Sequence, residues 1–121
     1  MPDAIEEFFD GLAQRGHERL LELVTGTVRF DISRDGQTDH WRLTIEHGDI
    51  AVSRESAETA ECVVLADRAT WNRIASGELN LFAGLLRGTV VVKGRTELIV
   101  LIQGLFPAHP RVPQSGLTSG R

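Results

Sequence analysis

The sequence predicts an α+β domain, in which a mostly antiparallel sheet carries helices packed on one face. Three observations predict it. Val28, Phe30 and Ile32, then Trp41, Leu43 and Ile45, then Ile50 and Val52 form consecutive runs of period two. Short turns bearing Asp35-Gly36 and His47-Gly48-Asp49 join these runs, which makes them an antiparallel meander. Apolar residues at helical spacing lie on both sides of the meander, giving the order α-α-β-β-β-β-α-α-β-α.

The first helix is expected over residues 2–14. Pro2 suits an opening turn, and Asp3, Glu6 and Glu7 complement the positive end of the helix dipole. Ile5, Phe8, Phe9 and Leu12 fall at i, i+3, i+4 and i+7, a single apolar stripe. Gly16 breaks the pattern. A second helix is expected over 17–24, with Leu20, Leu21 and Val24 on one face and Thr25-Gly26 as its end. The three alternating strands follow, then a polar loop over 54–61.

The continuous apolar run 62–66 predicts a fourth strand buried on both faces. Asp67 is the expected N-cap of a helix over 68–76 whose inner face carries Trp71, Ile74 and Ala75, with Gly77 as terminator. Asn80 caps a short helix over 81–86 that is apolar on nearly all sides. A fifth strand is expected over 88–93, ended by Gly94, and a closing helix over 96–105, stopped by Pro107. Beyond it the chain is rich in Pro, Gly, Ser and Thr, the composition of a disordered tail. The expected organisation is one domain over residues 1–107 and a tail over 108–121.

Composition narrows the function. Of the 121 residues, 41% are hydrophobic and 25% charged, which argues against general disorder. The net charge of -4 and the scattered Lys and Arg residues argue against a nucleic-acid partner. The acidic, charge-interrupted N-terminus does not read as a signal peptide, and no run approaches the roughly 20 apolar residues of a membrane span. A cytoplasmic location without stable membrane insertion is expected.

Chemistry-bearing residues are dispersed. His17, His40, His47 and His109 lack metal-ligand spacing, so no metal and no cofactor is expected. Cys62, the single cysteine, sits in an apolar run where burial makes a thiol inert. Asp31 and Glu46 are the faint candidates for a carboxylate catalyst, and both fall on the polar face of their strands. No Gly-x-Ser-x-Gly elbow and no phosphate-binding glycine loop occurs. A non-enzymatic role is expected. What stands out is the excess of apolar helix surface in the C-terminal half. The helix over 81–86 needs a second cover besides the sheet: another helix, a dimer partner or an apolar ligand.

Several segments carry a family resemblance. Trp41-Arg42-Leu43-Thr44-Ile45 followed by Gly48-Asp49-Ile50, Cys62-Val63-Val64-Leu65-Ala66 followed by Trp71, Ile74 and Gly77, and above all Leu81-Phe82-Ala83-Gly84-Leu85-Leu86-Arg87-Gly88-Thr89-Val90-Val91-Val92-Lys93-Gly94 resemble a sterol carrier protein 2 domain. Leu98, Leu101 and Leu105-Phe106-Pro107 resemble its closing helix. Arg95 departs from the acidic or amide residue usual after the second Gly, and the peroxisomal tail of eukaryotic members is missing.

The resemblance implies a five-stranded sheet covered by helices, with an apolar tunnel between them. It implies non-catalytic binding or transfer of a lipid-like small molecule: a fatty acid, an acyl-CoA or a sterol. On that reading Trp71, Ile74, Phe82, Leu85, Leu86, Leu98, Ile102 and Phe106 are the expected wall residues. The alternative is a protein-interaction module, with the same apolar surface buried in a homodimer or against an enzyme of a lipid-related system.

Overall fold

The computed structural model describes residues 3–54 and 59–106. Pro2, the middle of the loop at 54–61, Pro107 and the expected tail lie outside the described residues. The elements are helix α1 (Ala4–Arg15), a 3-10 turn (Arg19–Leu21), strands β1 (Thr25–Arg34), β2 (Gln37–Glu46), β3 (Asp49–Arg54) and β4 (Cys62–Asp67), helices α2 (Arg68–Ala75) and α3 (Leu81–Arg87), strand β5 (Val91–Gly94) and helix α4 (Leu98–Gln103).

One five-stranded sheet runs in the order β3-β2-β1-β4-β5. The two hairpins form as the alternating runs predict, with Phe30 opposite Trp41 and Leu43 opposite Val52. β4 lies parallel to β1 and antiparallel to β5, so β1 is the central strand and its pairing with β4 is the parallel one. Val28, Phe30, Ile32, Trp41, Leu43 and Ile45 are buried on the face that the helices cover. Phe9 of α1 lies edge-on to Phe30 (ring centroids 5.0 Å apart) and stacks on Trp41 (4.6 Å). Trp71 of α2 meets Phe30 edge-on at 5.4 Å. Edge-to-face and offset arrangements let these rings fill the core at favourable quadrupole geometry.

Four expectations need correction. The second helix over 17–24 is reduced to the 3-10 turn, and Thr25 and Gly26 open β1 instead of ending a helix. A short helix is costly to nucleate, and this segment's polar groups serve β3 instead. Ile50 N–H donates to the Gly16 carbonyl (2.9 Å), Glu18 N–H to that of Gly48 (2.8 Å), and His17 pairs with Asp49 as an isolated bridge. Leu21 is buried, but Leu20 is 48% exposed.

Secondly, β4 is not buried on both faces. Cys62, Val64 and Ala66 are buried, whereas Val63 and Leu65 are half-buried, because the far side of the sheet carries no helix layer among the described residues. Thirdly, the fifth strand begins at Val91, not at 88. Gly88 (φ 81°) caps α3 in the left-handed region, its N–H reaching the carbonyls of Gly84 and Leu85. Finally, the closing helix is shorter than 96–105, since Thr96 and Glu97 lie in a turn before Leu98.

Candidate functional site

Helix α2 packs on β1 and β4, and α4 meets β1 where Leu98 lies against Gly26. Asp67 begins α2 as an N-cap, its carboxylate accepting from Thr70 N–H at 2.8 Å. That start sets the helix phase, so Trp71, Ile74 and Ala75 face inward. Asn80 does the same for α3, accepting from the N–H groups of Phe82 (2.8 Å) and Ala83 (3.3 Å). Leu81 N–H donates to the Gln103 side-chain oxygen at 3.0 Å, which ties the start of α3 to α4. Gly84 presses against Val90: a Cβ there would stand 2.7 Å from Val90 Cγ2. Gly26 of β1 leaves the space that Leu98 of α4 occupies, with Leu98 Cδ1 3.3 Å from where a Cβ would stand.

The structure brings most of the sequence-predicted wall residues into one layer. Trp71, Ile74, Leu98, Ile102 and Phe106 are all buried. Phe82 and Leu85 are half-buried, and Leu86 is 88% exposed at the end of α3. The apolar surface of α3 therefore runs from the core at Leu81 to solvent at Leu86. Phe106 stacks on Phe8 of α1 at 4.2 Å and approaches Trp71 at 6.3 Å, so α1 closes one side of the layer. Sequence reasoning placed Phe8 and Phe9 on an apolar stripe but did not join them to this layer. The stripe showed which face turns inward, and only the chain path shows what it meets.

Three of the surface clefts among the described residues lie elsewhere and are lined by no expected wall residue. One of about 210 Å³ is lined by Thr38, Asp39, His40 and Arg54. Cys62 is fully buried, and desolvation, with a smaller contribution from Glu97, pushes its thiol above the ordinary value, as its apolar setting predicts. Asp31 lies on the sheet face away from the helices yet is only 6% exposed. Its carboxylate accepts from Arg29 Nε (2.8 Å) and Nη2 (3.0 Å) and pairs with His40 Nδ1 at 2.7 Å. Sequence periodicity put Asp31 on the polar face correctly, but missed that its neighbours would bury it. Among the described residues no group of three His, Cys, Asp or Glu side chains is placed to hold a metal. No described helix is long and apolar enough to cross a membrane.

A mixed five-stranded sheet with short apolar helices folded over one face defines the architecture of sterol-carrier-type α+β domains. The chain belongs to the SCP-2 sterol transfer family, whose model matches residues 5–107. It is similar in fold to a crystal structure of sterol carrier protein 2 (TM-score 0.67, 19% identity, covering 86% of this chain and 92% of that one). It is also similar to palmitated SCP2L2 from Aedes aegypti (TM-score 0.67, 14% identity, 89% and 96% covered). A third likeness is to the sec-alkylsulfatase Pisa1 from Pseudomonas sp. (TM-score 0.67, 22% identity), where the match spans 91% of this chain but 17% of the enzyme. At these identities the likeness is one of fold. No curated protein sequence matches the chain.

Proposed function

We propose that the chain binds a lipid-like molecule noncovalently, a fatty acid, an acyl-CoA or a sterol, and passes it on chemically unchanged. The observation that carries the reading is the graded burial of α3, an apolar helix that leads from a buried Leu81 to an 88%-exposed Leu86. Family membership supports it. On this reading Trp71, Ile74, Leu98, Ile102 and Phe106 form the floor, Phe82 and Leu85 the moving wall, and Leu86 the mouth. The ligand enters by displacing α3. This helix has 7 residues, too few to persist without tertiary support, so only its packing holds it in place.

Each methylene buried is worth about 0.8 kcal/mol, so half an acyl chain supplies several kcal/mol toward the association cost. We assign this activity to residues 1–107, with 108–121 dispensable, so a chain ending at 107 is expected to bind equally well. Titration with a fluorescent fatty acid tests the function. The expected result is saturable binding at micromolar protein, competed by unlabelled fatty acid and weakened at least about tenfold, roughly 1.4 kcal/mol, by Leu86→Asp with the fold intact by circular dichroism. Unsaturable binding ends the reading.

A second reading, as a homodimerisation or accessory module, is favoured by the exposed Leu20, Leu23, Leu86, Val91 and Val100. The small share of the alkylsulfatase that the chain matches also favours it. Analytical ultracentrifugation separates the two readings. A tight dimer that persists with added fatty acid and loses its affinity for itself in Leu86→Asp supports assembly.

A further inference from the structure

We propose that the cleft between Thr38, His40 and Arg54, where the start of β2 meets the end of β3, binds an oxyanion. The cleft lies apart from the apolar wall and measures about 210 Å³. Liquid water occupies roughly 30 Å³ per molecule, so a phosphate group fits with part of its hydration.

Among the described residues, the charges around the cleft leave one cation over. Asp31 is matched by Arg29 (2.8 Å) and Asp39 by Arg34 (3.0 Å). Arg54 makes no ion pair among the described residues. Its guanidinium carbon lies 4.5 Å from the Trp41 ring centroid, over the ring. Trp41 in turn stacks on Phe9 at 4.6 Å, so a core residue fixes the platform. Stacking on an aromatic ring positions a guanidinium and leaves its N–H groups available in the plane to grip two oxygens.

His40 supplies the second contact. Its Nδ1 lies 2.7 Å from the Asp31 carboxylate, which Arg29 holds in a two-point grip. A carboxylate held in this way accepts hydrogen bonds and does not donate them, so the proton lies on Nδ1. Nε2, on the opposite edge of the ring, is left to accept from a P–OH group. A carboxylate behind a histidine is a common device for fixing ring orientation and tautomer. The Thr38 hydroxyl completes the set. The chain as a whole is acidic, with net charge -4, so an anion drawn here is drawn by local geometry.

Free phosphate and a phosphorylated lipid head group present the same chemistry. Two NMR titrations at constant ionic strength separate them, one with inorganic phosphate and one with dihexanoyl phosphatidic acid below its micelle concentration. Both follow His40 Cε1–H and Arg54 Nε–H, with chloride as the blank. The expected result is a saturable shift at both side chains in the millimolar range, about tenfold weaker in Arg54→Gln and partly retained in Arg54→Lys. A response to inorganic phosphate, with or without the lipid, assigns a free oxyanion; a response to the lipid alone assigns a head group. Silence toward both, or equal binding by Arg54→Gln, overturns the proposal. The site is independent of the lipid-binding layer, so Arg54→Gln is expected to leave the fluorescent fatty-acid titration unchanged.

Discussion

The indole Nε1–H of Trp71 donates to the backbone carbonyl of Asp31 at 3.0 Å, tying α2 to the central strand through the core. The same residue's carboxylate is held on the opposite face of the sheet by Arg29 and His40. Asp31 is thus fixed from both sides of the sheet, and the position of α2 depends on it. Trp71→Phe keeps most of the ring packing and removes the donor. A loss of about 1–3 kcal/mol is expected, since a buried carbonyl loses a partner. Urea unfolding checks it, and an unchanged midpoint would show that the bond contributes nothing.

Gly94 and Gly11 should respond to alanine with opposite signs. At Gly94 (φ 89°) a Cβ would stand 2.3 Å from the Glu61 carbonyl oxygen, a backbone atom with no freedom to yield. Gly94→Ala is expected to destabilise the fold by about 2 kcal/mol or more. At Gly11, inside α1, nothing lies within 4 Å of the new methyl group. Gly11→Ala should raise stability by about 0.5–1 kcal/mol through helix propensity. Thermal melts of the two variants should move in opposite directions; a parallel shift counts against this account.

His17 links the segment after α1 to the β2–β3 turn, pairing with Asp49 at 2.8 Å and Glu22 at 3.3 Å. The Asp49 hydrogen bond chiefly, then that of Glu22, raises its pKa above the ordinary 6.5. The folded value exceeds the unfolded one, so this contribution is complete below pH 6.5 and fades as pH rises through the folded pKa. Because the pair is exposed, added salt should weaken it. Urea midpoints measured across that interval should fall more steeply in the wild type than in His17→Gln. Parallel profiles would falsify the link.

Asp67 acts in the opposite direction. Hydrogen bonding from Thr70 holds its carboxyl below the ordinary value of 3.8. Its stabilising effect is therefore present above 3.8 and is lost as pH falls through the lower folded value. Asp67→Ala is expected to cost about 1 kcal/mol at neutral pH, the usual effect of losing an N-cap. The gap between variant and wild type should close in acid. A gap that stays constant from neutral to strongly acidic pH would mean that the carboxylate's charge plays no part.

The sequence made much of this legible, for local reasons. Phe30, Trp41 and Leu43 alternate with polar residues, and Asp35-Gly36 and His47-Gly48 provide tight turns, with positive φ at all four. The two hairpins therefore follow from nearest neighbours in the chain. Asp67 and Asn80 mark helix starts by their own side-chain chemistry. The segment over 17–24 read as a helix because Leu20, Leu21 and Val24 have helical spacing. Spacing does not register the backbone bonds from Gly16 and Glu18 to the β2–β3 turn that take its place. Among the expected wall residues, burial of Trp71, Ile74, Leu98 and Ile102 follows from amphipathic pattern. The exposure of Leu86 does not, because a helix apolar on every side carries no mark of which side will be covered.

By itself, the sequence determined the elements other than the one over 17–24, the inward face of each long one and the likeness to a carrier domain, because periodicity and capping act over a few residues. Only the tertiary structure decided that β4 lies parallel to β1, that Asp31 is buried beneath Arg29 and His40, and that Arg54 rests on Trp41 without an acidic partner among the described residues. These relationships join residues whose proximity depends on the closed path of the whole chain, and no local preference encodes that path.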